Sequence, residues 1–77
     1  MDKINSKLGK VISSLRQAAG LSQEELAERA SIHRTYVSQI ERGLKSPTIA
    51  ILLKLSKALK TTPSKVMQLF EDEIGVV

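Results

Sequence analysis

Residues 23–42, QEELAERASIHRTYVSQIER, constrain this chain more than any other segment. Small and apolar residues recur there at helical spacing up to Ala30, and the pattern resumes at Arg34. Two short helices joined so tightly cross at a steep angle. That crossing needs a small side chain where the backbones come close and apolar residues that lock both helices to a third. Ala27 is the small residue, and Leu26, Ala30, Ile32, Val37 and Ile40 are the locking set. The second helix then turns Arg34, Thr35, Ser38 and Gln39 outward, with Tyr36 at the margin. A guanidinium, a carboxamide and two hydroxyls on one short face match base edges: Arg suits guanine, Gln suits adenine, and Thr adds a methyl for thymine. The spacing predicts a helix-turn-helix that reads double-stranded DNA through these four residues.

The remainder of the chain is also helical in pattern, so the expected fold is all-α, a compact five-helix domain without strands. The first helix is expected over residues 6–19, with Leu8, Val11, Ile12, Leu15 and Ala19 on its inner face and Gly20 ending it. Ser22 opens the second helix through a capping box with Glu25, and His33 caps the third, which stops at Gly43. The fourth runs to about Lys60, capped by Ser46 ahead of Pro47 or by Thr48, with Ile49, Leu52, Leu53, Ser56 and Leu59 as its inner stripe. Ile51, Leu55 and Ala58 form a second apolar flank, while Lys54, Lys57 and Lys60 read as a solvated face. Thr62 and Pro63 open the fifth helix, which carries Val66, Met67, Leu69, Phe70 and Ile74. That is more apolar surface than one side of a terminal helix needs.

Seventy-seven residues form one domain, residues 1–77, and so short a chain buries only about 60 % of the surface its unfolded form exposes. Homodimerisation is therefore expected over residues 49–77, with Ile51, Leu55, Met67, Leu69, Phe70 and Ile74 as the contact residues. Tyr36 and Phe70 are the only aromatic residues, too few for a binder that stacks single-stranded bases. With no cysteine and a single histidine, the chain lacks a thiol nucleophile and enough zinc ligands, so neither metal nor cofactor is expected. Ser22, Ser31 and Ser38 have no base with an orienting acid nearby in the sequence pattern, and catalysis is not expected. No apolar run approaches a bilayer span and no signal-peptide core is present, which predicts a cytoplasmic protein without a membrane partner. Residues 1–70 carry a charge of +7 and the remaining seven residues −3, a basic body that suits a polyanion and an acidic tail that should lie away from it.

The segments LSQEELAERA, TYVSQIERG, SPTIAILLKLSKAL and TTPSKV together resemble the Xre/Cro family of helix-turn-helix regulators, the group of the lambdoid phage repressors and Cro. The resemblance spans about residues 6–70, and HRTYVSQIERG is most similar to the controller proteins of restriction-modification systems. It implies a third helix in the major groove and a second helix across the backbone with its N-terminus toward a phosphate. Carried onto this sequence, it implies phosphate contacts at Ser22, Gln23, Tyr36, Arg42, Lys45 and Thr48, with His33 as cap or phosphate neighbour. It also implies an internal ion pair between Arg16 and Glu41, with Arg16 near enough to touch phosphate as well. The family's turn usually has Gly where this chain has Ser31, which should then adopt a left-handed conformation.

The function expected on this basis is a dimeric regulator of transcription on a palindromic operator, with an RNA polymerase contact at Glu25 or Glu28. The competing reading is an antitoxin or adaptor that holds a protein partner through Ile51, Leu55, Leu69 and Phe70.

Overall fold

The computed structural model describes residues 3–75, among which there are five α-helices and no strand. They are α1 (Lys3–Ala18), α2 (Gln23–Ala30), α3 (Arg34–Glu41), α4 (Ile49–Ala58) and α5 (Pro63–Ile74). Residues 1, 2, 76 and 77 of the expected domain, the last two also the end of the expected dimerisation region, lie outside the described residues.

Side chains at the helix starts satisfy amide donors that would otherwise lack partners. At α2 the box is complete: Ser22 Oγ accepts from the Glu25 amide at 3.0 Å, and Glu25 Oε1 accepts from the Ser22 amide at 2.9 Å. His33 Nδ1 accepts from the Thr35 amide at 3.1 Å and opens α3. Thr48 Oγ1, accepting from the Ile51 amide at 3.2 Å, caps α4, which settles the choice between Ser46 and Thr48. Thr62 does the same for α5 through the Lys65 amide, with Pro63 at the first helical position.

α1 departs from expectation by starting a turn earlier, at Lys3. Its N-terminal half lies along α5, where Lys7 Nζ donates to the Glu73 carbonyl at 3.1 Å and Lys10 pairs with the Glu73 carboxylate at 2.9 Å. Those bonds tie the first turns of the expected helix to α5. At the other end Ala19 is exposed in the turn instead of lying on the buried face.

A single core joins Leu8, Val11 and Ile12 of α1 to Leu26, Ala27 and Ala30 of α2, Val37 and Ile40 of α3, Leu52, Leu55 and Leu59 at α4, and Val66 of α5. The locking set thus forms as its spacing required, with Ile32 half-buried against it. α4 is rotated from the expected orientation. Its buried stripe is Leu52, Leu55, Ser56 and Leu59, while Ile49 is 75 % exposed and Leu53 48 % exposed. Wedged against both α2 and α5, α4 has to bury the row at positions i, i+3, i+4 and i+7 that both neighbours can reach. Leu55 is consequently 0 % exposed within one subunit, and its assignment to a dimer surface is withdrawn. Ser56 is equally buried but satisfied, its hydroxyl donating to the Leu52 carbonyl at 2.7 Å.

Candidate nucleic-acid interface

The turn between α2 and α3 decides what α3 presents. Ser31 ends α2 in the left-handed region (φ 55°, ψ 43°), where its own amide and that of Ile32 bond back to the Glu28 and Ala27 carbonyls. The expected left-handed serine is present, at the backbone cost that a Cβ incurs there. With Val37 and Ile40 buried, the opposite face of α3 carries Arg34, Thr35, Ser38 and Gln39. Arg34 and Thr35 are exposed, and Ser38 and Gln39 half-buried. Their relative positions i, i+1, i+4 and i+5 keep them on one patch. Tyr36 is half-buried, its ring packed at the core edge.

Several of the residues assigned to phosphate stand at chain positions that flank this patch. Ser22 and His33 are the exposed cap residues of α2 and α3. Beyond α3 the chain folds back, and the amides of Leu44 and Lys45 both donate to the Gln39 carbonyl, at 2.8 and 3.3 Å. That pair of bonds sets Lys45 beside the end of the presented face. Arg42 and Thr48 are exposed at the end of α3 and the start of α4. Basic and hydroxyl groups at such positions are suited to phosphate oxygens, whereas the α3 patch is suited to base edges.

Behind the patch lies a polar junction that joins three helices. Arg16 Nε donates to Glu41 Oε2 at 2.7 Å and Nη2 to Oε1 at 3.1 Å, a two-pronged bond between α1 and the end of α3. Arg16 Nη1 also donates to the Leu21 carbonyl at 2.8 Å, and Gln23 Nε2 donates to Glu41 Oε1 at 3.0 Å. The side chains of Arg16 and Glu41 are 14 % and 6 % exposed. The hydrogen bond to Glu41 raises the Arg16 pKa from its ordinary value, against the opposing effect of burial. The ion pair was expected; the link to Gln23 was not. Gln23 reaches inward to Glu41 with one N–H, so its assignment as a simple phosphate contact needs revision.

Close packing at two glycines was not expected, Gly43 having been assigned only to the end of α3. A Cβ on Gly9 of α1 would sit 2.6 Å from the Glu41 carbonyl oxygen, and one on Gly43 2.6 Å from Ser6 Oγ. The available signal was Gly9 itself, a glycine inside a strongly helical pattern, which usually marks a close packing contact.

The helix-turn-helix family model matches residues 12–66, the span from the middle of α1 into α5. The chain belongs to this family. It is 39 % identical over 64 residues to control protein C.SmaI of Serratia marcescens, covering 83 % of this chain and 76 % of that protein. Its fold matches the restriction-modification controller protein C.AhdI from Aeromonas hydrophila with a TM-score of 0.79 at 39 % identity, over 80 % of this chain and 94 % of the other. The controller protein C.Esp1396I, solved as a tetramer with its natural 35 base-pair operator, matches with a TM-score of 0.87 at 32 % identity, over 96 % and 97 % of the two chains. The expected five-helix fold and the resemblance to controller proteins both stand. Among the described residues, no helix is long and apolar enough to cross a membrane.

Proposed function

We propose that the protein is a cytoplasmic transcriptional regulator that binds a palindromic operator as a homodimer, in the manner of a restriction-modification controller. The observation that carries this reading is the α3 face of Arg34, Thr35, Ser38 and Gln39, turned outward by the burial of Val37 and Ile40. C.Esp1396I, with which the chain shares its fold, is a controller solved on its operator. On this reading α3 enters the major groove, and Ser22, His33, Tyr36, Arg42, Lys45 and Thr48 hold the flanking phosphates. Gln23 joins them only through its remaining N–H, since Glu41 holds the other.

The dimer surface is formed by the apolar groups left outside the core. Ile49, Leu53 and Met67 are the most open on α4 and α5, with Ile51, Leu69, Phe70 and Ile74 half-buried behind them. An RNA polymerase contact falls to Glu28, exposed on α2, because Glu25 is committed to the cap of that helix. The antitoxin or adaptor reading is weaker, since Leu55, one of its four residues, is inside the core and the similar proteins include several restriction-modification controllers.

Selection of duplexes from a random pool should return a palindrome bound tightly and with steep salt dependence. Equal affinity for selected and scrambled duplexes would refute the proposal. Within it, Arg34→Ala should weaken the selected site by about 1–3 kcal/mol and leave nonspecific binding nearly unchanged.

A further inference from the structure

We propose that Gly9 is a positioning residue for base reading: the absence of a side chain there seats the C-terminal end of α3 against α1 and so sets the reach of Arg34, Thr35, Ser38 and Gln39. The inference depends on α3 being the DNA-reading helix.

Gly9 is buried in the interior of α1, where glycine weakens a helix relative to alanine. Something must compensate for its use. A Cβ there would lie 2.6 Å from the Glu41 carbonyl oxygen, 2.9 Å from its carbonyl carbon and nearer still to the Ile40 carbonyl oxygen. All three are backbone atoms at the end of α3, which cannot swing aside as a side-chain tip can. A turn earlier on α1, Ser6 meets Gly43, where a Cβ would be 2.6 Å from Ser6 Oγ and 2.8 Å from its Cα. Ser6 and Gly9 are three residues apart and share one face of α1. Two successive turns of α1 therefore touch the end of α3 at Glu41 and the chain just beyond it at Gly43, and neither Gly9 nor Gly43 has a side chain to hold them apart.

Adding a methyl at Gly9 forces the helices apart by about 1 Å to restore ordinary contact distances. α1 is the less free to move, being bound along α5 through Lys7 and Lys10 to Glu73. α3 is an eight-residue helix between two turns and takes up the shift. Base contacts tolerate a misplacement of only about 0.5 Å. Phosphate contacts through the long side chains of Arg42 and Lys45 readjust, since they fix charge and not register.

The test compares the full-length wild type with Gly9→Ala, each made also in a Lys60→Gly background that removes a left-handed non-glycine residue far along the chain from α3. Affinities are measured over a series of salt concentrations for the selected duplex and for a scrambled duplex, with helicity followed by circular dichroism. Gly9→Ala should lose about tenfold or more on the selected duplex and less than about twofold on the scrambled one, with the salt slope kept. Equal losses on both duplexes, or no loss, overturn the proposal. So does a variant that fails to fold even with Lys60→Gly, because Gly9 then serves folding alone. A wild type that does not discriminate between the duplexes strikes at the DNA-reading function instead.

Discussion

α3 and α4 are both short helices that bury one face in the same core, yet they are held in different ways. The end of α3 is fixed by backbone-tight contacts at Gly9 and Gly43 and by a directional polar junction of Arg16, Glu41 and Gln23. α4 is held by side-chain packing of Leu52, Leu55 and Leu59 and keeps Ile49 and Leu53 open to solvent. Apolar packing is non-directional and fixes a helix less sharply than bidentate hydrogen bonds do. On the proposed function, the helix that registers against base edges has the directional contacts, and the helix offered to another subunit has the adaptable ones.

Substitutions can break this contrast. Leu55→Ala should have the largest effect, about 3 kcal/mol of lost stability by urea unfolding, because it opens a cavity in a fully buried site. Leu53→Ala, two residues away, should leave subunit stability nearly intact and weaken dimerisation, which sedimentation would measure. Equal destabilisation by the two would mean that the rotation of α4 is wrong. Glu41→Ala comes next, at about 2–3 kcal/mol, since it strands the largely buried Arg16 guanidinium and frees Gln23. Its distinguishing mark is a drop in the ratio of specific to nonspecific DNA affinity, which Leu55→Ala should spare under conditions where both proteins remain folded.

Smaller effects sharpen the comparison. Ser31 (φ 55°) and Lys60 (φ 57°) are both left-handed, one before α3 and one after α4. Ser31→Gly and Lys60→Gly should each stabilise the fold by about 0.5–1 kcal/mol, measured as a rise in the denaturant midpoint. A much larger gain at Ser31 would show that the tight seating of α3 adds strain to its entry turn. The smallest effect is one of pH. The Ser22 amide and hydroxyl hold the Glu25 carboxyl below its ordinary range, and Lys10 does the same for Glu73. A carboxylate with a lowered folded pKa stabilises the fold at pH values above its unfolded value of about 4.3, and that contribution is lost as pH falls through the folded value. Thermal midpoints recorded downward from pH 6 should decline less steeply in Glu25→Gln and Glu73→Gln than in the wild type. Identical profiles would show that neither bond persists in solution.

The helix-turn-helix was legible in the sequence because its constraints are local. The Ser22 to Glu25 box, the cap at His33 and the 3.6-residue recurrence of apolar positions act within one or two turns. Val37 and Ile40 had only one side of α3 on which to lie, so the opposite patch could be named in advance. α4 was harder because it is apolar around most of its circumference, and periodicity offered two stripes of similar strength. The resemblance implies a phosphate contact at Gln23, and its inward bond escapes a local reading because Glu41 is eighteen residues away and on another helix.

The sequence by itself determined the five helices found among the described residues, that two of them form the motif, and that Arg34, Thr35, Ser38 and Gln39 share one face. Only the tertiary structure decided which side of α4 is core, that Lys7 and Lys10 belong to Glu73, and that Gly9 lies against the carbonyls of Ile40 and Glu41. The physical reason is one of range. Helix capping and amphipathic spacing are set by neighbours within a few residues, whereas a helix's rotation and its distance from a partner depend on which surfaces meet, and those surfaces come from distant parts of the chain.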